Sequence, residues 1–403
     1  MPKIAPFRAY RYRSTNQELS QQVCPPYDII DFDLELKLKK NTANAVRIEL
    51  PSGNRETKYN NALAIWKQWV KNNVVRQDET AAFYVYEQKF SVGKKHFSRT
   101  GFFCELTVEK PGEGSVLRHE LTLAGPKLDR LKLLRALQLN SSPIFGLFPD
   151  KKQAAKKIFQ NLVKQSPLSA IKDSDGVEHQ LWACTDRAQI ETLQQIVAEN
   201  PVAIADGHHR YETAWNYSQE SAAPGAKSAL FFLCPMDDPG LVIFPTHRIV
   251  KRVPKVEPVL LDETVRRAIA HGSLFKIKKI RTVAVPPHLS LILTDGKQHF
   301  SIAIDSQAIL ERQYRGKIKD FRELSLNHIH DFLLPYLKKE DFLYSHDLKE
   351  TMKLVKKNRT FAVLVPPVST TELFNIVCAK ELMPQKSTYF YPKIITGILF
   401  RAL

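Results

Sequence analysis

The segment VAIADGHHRYETA (202–214) narrows the fold more than any other in the chain. Val202 to Ala205 form the short apolar run of a buried strand, and Asp206-Gly207 is a turn dipeptide. Beyond the turn, 211–217 suits a helix, with Tyr211, Ala214, Trp215 and Ser218 along one face. A strand, a tight turn and a helix in one short stretch predict layered sheet and helix. They also set His208, His209 and Arg210 beside the unpaired amides of a first helical turn, where those amides and the helix dipole favour negative charge. Asp206 beside a phosphate can hold Mg²⁺ or accept a hydroxyl proton, and Arg210 can neutralise charge on a transferring phosphoryl group. A second reading fits the same residues: Asp206 caps the helix, one histidine is a satisfied core residue, and Arg210 pairs with an acid such as Glu212. Adjacent histidines point in different directions, which argues against a metal site shared by both.

The remainder of the chain reads as mixed α and β without repeats. A helix fits 58–72, with Ala62, Ile65, Trp66, Trp69 and Val70 at helical spacing. AAFYVYEQKF (81–90) reads as a strand that turns at Gly93, followed by a second strand over 99–108. A basic amphipathic helix fits 151–163, and LWACTD (181–186) is a strand before a helix that runs through Val197. LVIFP (241–245) and LSLILTD (289–295) are strands as well. Between these two, KRVPKVEPV (251–259) carries two prolines and no glycine, so it is the candidate linker, dividing the chain into 1–250 and 251–403. The expected class is α+β with a mixed sheet.

Composition removes several classes. At 403 residues, 43% hydrophobic and 25% charged, the chain suits two or three globular domains. Its apolar runs fall far short of the roughly 18 residues of a spanning helix. No hydrophobic signal core follows the proline-interrupted N-terminus MPKIAPFRAYRYR, which predicts a cytoplasmic protein with no membrane partner. Five scattered cysteines without a C-x-x-C pair suggest neither a disulfide framework nor zinc. The net charge of +17 favours anionic partners without choosing among them. The lysine runs are dispersed and lack interleaved aromatics, so solvated helix faces account for them better than a nucleic-acid surface.

The motif ADGHHRYETA resembles the signature of an uncharacterised bacterial and archaeal family with some protist members. The likeness continues through PPYDII (25–30), RIELPSG (47–53), RTGFF (99–103), RHELT (118–122), KLDRLKLL (127–134), PTHRIV (245–250) and MPQKSTYFYPK (383–393). Its G-H-H-R core is similar to the glycine-x-x-arginine box of the ParB and sulfiredoxin superfamily, where that turn holds nucleotide phosphates. The resemblance implies a ParB/sulfiredoxin-like core with additional α/β domains, and it implies phosphoryl transfer. Free-serine kinases occur among ParB-like proteins, and relatives within the family phosphorylate L-serine with inorganic pyrophosphate. Carried onto this chain, it makes Asp206, His208, His209 and Arg210 the transfer centre.

Other residues have weights of their own. Lys386, Ser387 and Thr388 join an ammonium to two hydroxyls, with Lys393 close behind, a set that can bind phosphate. Its competing reading is a strand with alternating aromatic packing. If the tail binds phosphate, it must fold back onto the 206–210 turn. Asp28 in PPYDII is either a presented acid or part of a rigid turn. His119 and Glu120 divide between base or metal ligand and scaffold, and Asp129 with Arg130 can pair on a helix surface. Arg47 and Arg248 offer a guanidinium fork for a substrate carboxylate. Two functions follow. The first, whose substrates the resemblance implies, is a kinase that forms O-phosphoserine from free serine with pyrophosphate, ATP or ADP and Mg²⁺. The second is a ParB-like nucleotide-regulated DNA-binding protein, which needs a helix-turn-helix that the sequence does not show. With 15 glycines and no Walker A loop, a nucleotide site here is of the histidine-arginine turn type.

Overall fold

The computed structural model describes residues 1–54, 57–121, 124–251, 261–305, 307, 314–335 and 337–403. The chain divides into two compact units: Met1–Leu241 with Pro392–Leu403, and Val242–Tyr391. Of the expected linker 251–259, all but Lys251 lies outside the described residues. Among the described residues no helix is long and apolar enough to cross a membrane.

The first unit is built on a nine-stranded mixed sheet. Its strands are β1 (Ile4–Ala5), β4 (Phe83–Val92), β5 (Lys95–Thr107), β6 (Val116–Leu117), β8 (Ile144–Phe148), β9 (Ser169–Lys172), β10 (Glu178–Cys184), β11 (Val202–Asp206) and β12 (Ser228–Pro235). They lie in the order β6-β11-β8-β12-β5-β4-β10-β9, with β1 paired to β5. β4 and β5 form a hairpin in which Val92 faces Lys95, so the turn is Gly93-Lys94. Gly93 sits there at φ +60°, which such a tight turn demands. β12 runs parallel to β8 and antiparallel to β5. β11 runs antiparallel to β8 and shifts register between Ile204 and Asp206, which brings Asp206 opposite Phe145.

The core gathers on this sheet around Phe83, Phe102, Phe148, Phe231 and Leu233, all at 0% exposure. At roughly 2 kcal/mol per large buried apolar side chain, such a cluster fixes the strand ends firmly. Short pairs complete the unit: β2 (Tyr10–Tyr12) with β3 (Val75–Gln77), and β7 (Leu139–Asn140) with β21 (Arg401–Ala402). Its helices are α1 (Asn16–Gln22), α2 (Phe32–Leu38), α3 (Val46–Glu49), α4 (Lys58–Lys71), α5 (Ala124–Leu137), α6 (Ala154–Leu162), α7 (Arg187–Ala198) and α8 (His208–Glu220). α4 buries Ala62, Trp66 and Trp69, three of the five positions that the spacing picks out. α8 begins three residues before the helix read from the sequence, because Gly207 takes the turn alone.

The second unit carries a six-stranded antiparallel sheet. Its strands are β14 (His247–Val250), β15 (Phe275–Ile280), β16 (Ser290–Thr294), β17 (His299–Ile304), β18 (Phe342–Ser345) and β19 (Ala362–Leu364). β13 (Val242–Phe244) pairs separately with β20 (Tyr389–Tyr391). The architecture is mixed α and β, with one large mixed sheet and several smaller ones.

Candidate active site

The 202–214 segment folds as a strand, a one-residue turn and a helix. Gly207 holds φ +94°, a region costly for residues with a Cβ, and a Cβ there would meet Arg210 Nε at 3.0 Å. The left-handed turn and the close approach of the guanidinium both require glycine. α8 then starts at His208, and its first internal hydrogen bond runs from the Tyr211 amide to the Gly207 carbonyl. Helix geometry leaves the amides of the first turn without helical partners.

Asp206, at the end of β11, is the carboxylate of this turn. Its Oδ2 accepts from Arg210 Nη2 at 3.2 Å and lies 3.6 Å from Lys393 Nζ. Arg210 also donates to the Pro143 carbonyl. One carboxylate between two cations leaves one formal positive charge. All three side chains are largely shielded, at 22%, 11% and 12% exposure for Asp206, Arg210 and Lys393, so the field is less screened than at an open surface. Arg210 therefore pairs with Asp206, whereas Glu212 is taken by Arg118 at 3.1 Å and Lys127 at 2.7 Å.

The return of the C-terminal segment that brings Lys393 here has an identifiable anchor. Arg99, at 0% exposure, donates from Nη2 to the Gln88 side chain and to the Pro392 carbonyl at 2.5 Å. Gln88 donates to the Lys393 carbonyl at 3.0 Å. The Arg99 guanidinium also lies 4.9 Å from the ring centre of Phe145, the residue opposite Asp206. Adjacent Asp238, half-buried and accepting from the amides of Thr100 and Gly240, is pushed up to about 6, chiefly by loss of solvent around it.

The two histidines diverge. His208 is buried at 4% exposure and its Nε2 accepts the His119 amide at 3.3 Å, leaving Nδ1 3.7 Å from Glu120. The His119 ring meets it edge to face at 4.4 Å and donates from Nδ1 to the Ile204 carbonyl at 2.9 Å. Burial drives both imidazoles below the ordinary histidine range, well below it for His208, so both are neutral. His209 is partly exposed in the first turn of α8.

Below the turn lies a buried polar cluster. Glu49, at 1% exposure, accepts from Ser141, from Ser142 at 3.0 Å and from Arg130 Nη1 at 3.3 Å. Arg130 pairs with Asp129 at 2.6 Å and lies 4.4 Å from the Tyr27 ring centre. Burial pushes the Tyr27 phenol up to about 12, against the influence of Arg210. Sequence reasoning passed over Glu49, Ser141 and Ser142. The signals were a lone glutamate in the apolar VRIEL and a serine pair before Pro143, neither distinctive without its partner.

The other expected residues stand elsewhere. Arg47 donates to the carbonyls of Asn41 at 3.0 Å and Lys39 at 2.5 Å, and Asp28 is exposed in the 3₁₀ turn Tyr27–Ile29. In the second unit, Arg248 is fully buried, donates to the carbonyls of Thr246 and Gln385 and faces the Tyr344 ring. Lys386 is exposed at φ +56°, Ser387 is buried and bonds to the Pro384 carbonyl, and Thr388 precedes the paired strand β20. Tyr389 of that strand stacks on His346 at 4.0 Å. Among the described residues no group of three or more His, Cys, Asp or Glu side chains is placed to hold a metal ion.

This chain belongs to the family described as Protein of unknown function (DUF1015), whose pattern matches residues 4–359. Solved structures similar to it include the following three. A conserved hypothetical protein from Pyrococcus furiosus shares 12% identity at a TM-score of 0.36, over 73% of this chain and 92% of that one. A free serine kinase in complex with AMP shares 12% at 0.37, over 74% and 92%. SbnI with a C-terminal truncation, from Staphylococcus aureus, shares 10% at 0.36, over 71% and 84%. A comparison with curated proteins found no match.

Proposed function

We propose that the protein is a phosphotransferase that phosphorylates a small free alcohol, L-serine first, at the 206–210 turn. The observation that carries this reading is Asp206 held between Arg210 and Lys393 at the mouth of α8. Two cations at the N-terminus of a helix suit the phosphates of a donor, either pyrophosphate or a nucleotide. A carboxylate among them suits the proton of an attacking hydroxyl. The sequence resemblance to the ParB and sulfiredoxin box falls on these same residues, Gly207 to Arg210.

In the proposed reaction the acceptor oxygen attacks the terminal phosphorus, and its proton passes to Asp206. The bond from phosphorus to the bridging oxygen breaks, and the leaving phosphate or nucleotide takes the electron pair. Arg210 and Lys393 neutralise charge on the transferring group, and His209 at the first turn of α8 adds a donor on its flank. His208, neutral and locked to the His119 amide, holds the start of the helix in place. A lone carboxylate faced by two cations does not fit a resident metal site of three ligands. It fits a Mg²⁺ ion arriving on the donor's phosphates, which needs one or two protein carboxylates and supplies further charge neutralisation. Lys386, Ser387, Thr388, Arg47, Arg248 and Asp28 are assigned no step.

The test is phosphorus NMR of purified protein with L-serine, Mg²⁺ and, in separate samples, pyrophosphate, ATP or ADP. Phosphoserine is expected with at least one donor. Its absence with all three removes the reading.

A further inference from the structure

A partly open cavity of about 50 Å³ adjoins the turn, lined by Glu49, Arg130, Ser141, Ser142, Arg210 and Thr213 together with apolar residues. Arg210 is thus a wall of the cavity and a partner of Asp206 at once. Thr213, one turn further along α8 and 3% exposed, has a buried Oγ1 with no hydrogen-bond partner among the described residues. A buried hydroxyl left unpaired costs about 1–3 kcal/mol, and the side chain lines a cavity large enough to supply what is missing. The same lining includes the Glu49 carboxylate, which accepts from two serine hydroxyls and Arg130.

We propose that this cavity is the acceptor subsite and takes the ammonium head of a small amino acid. An ammonium brings three N–H donors and no acceptor, matching Glu49 and the unpaired Thr213 oxygen. At about 30 Å³ per water molecule in the liquid, the space admits a head group and little more. The rest of the acceptor therefore stays at the Arg210 side, where its hydroxyl faces Asp206. Glu49, Ser142 and Thr213 select an α-amino alcohol over an alcohol lacking the amine. This inference rests on the phosphoryl-transfer reading only for the fate of the hydroxyl; the binding claim is separate.

Calorimetry of the full chain with L-serine, and with 3-hydroxypropionate, which lacks the ammonium, tests it. L-Serine should bind and 3-hydroxypropionate should bind at least tenfold more weakly. Thr213→Val should weaken L-serine binding by about tenfold and Thr213→Ser should restore it. In the kinase assay the same valine variant should raise KM for serine while leaving KM for the donor unchanged. Serine binding equal to wild type in both Thr213→Val and Ser142→Ala, or no serine binding by wild type, overturns the subsite. Threonine-dependent serine binding without turnover on any donor leaves the subsite standing and removes the phosphoryl-transfer reading.

Discussion

At the residue scale, the reading turns on how Lys393 is delivered. A lysine on a C-terminal segment has many rotamers, yet its ammonium stands 3.6 Å from Asp206 because the backbone beneath it is fixed. Gln88 grips its own carbonyl and Arg99 grips the carbonyl before it. Arg99→Lys keeps the charge but loses the fork that spans Gln88 and Pro392 and the flat face against Phe145. We expect a melting temperature several degrees lower and turnover reduced at least tenfold, with KM for serine little changed. Thermal unfolding with steady-state kinetics checks this, and unchanged turnover at the lower melting temperature would reduce Arg99 to a scaffold residue. None of this is visible in RTGFF, since Arg99 takes its meaning from partners on other elements, Gln88, Phe145 and the remote Pro392. Glu49 was hidden for the same reason: its partners Ser141 and Ser142 are remote in sequence and near in space.

At the scale of the element, the strand, turn and helix of 202–220 were the most legible part of the chain. Each signal there is local: an apolar run, a turn dipeptide, and a helical face on which Tyr211, Ala214 and Ser218 are buried. The helix start escaped by three residues because a single left-handed glycine makes the turn, so His208 is already helical and points inward. Gly207→Ala should cost about 1–2 kcal/mol from the strained backbone, and its methyl would press on the Arg210 guanidinium. Urea unfolding should show the lost stability, and turnover should fall further than stability alone explains. An alanine variant with wild-type stability and turnover would contradict the account of the turn. The tail followed a similar logic. A phosphate-binding tail had to return to the turn, and Lys393 does so within the first unit. Lys386, Ser387 and Thr388 belong to the second unit, where Tyr389 and Phe390 pack in a paired strand as the competing reading expected.

On the scale of the whole molecule, buried histidines set the response to pH. Burial lowers His119 and His208, and it brings His247, His328 and His330 down to about 4. The unfolded chain takes up protons on these groups near pH 6.5, while the folded chain does not until lower pH. The unfolded state therefore binds more protons below about 6.5, and stability must fall as the solution is acidified from there. Each group contributes up to about 1.4 kcal/mol per pH unit. Asp238 works in the opposite sense, since a carboxyl raised to about 6 keeps its proton in the fold as pH falls, but it is one group against five. Urea midpoints at pH 7 and pH 5 should differ clearly, with the lower at pH 5; equal midpoints would contradict the buried neutral histidines. The central claim, that the turn at Asp206 is a phosphoryl-transfer centre, has a more direct test. Phosphoserine formation from L-serine should be readily detected by phosphorus NMR for wild-type protein and should fall by at least a hundredfold in Asp206→Asn with an unchanged circular-dichroism spectrum. Phosphoserine forming at the wild-type rate in that variant would contradict the claim.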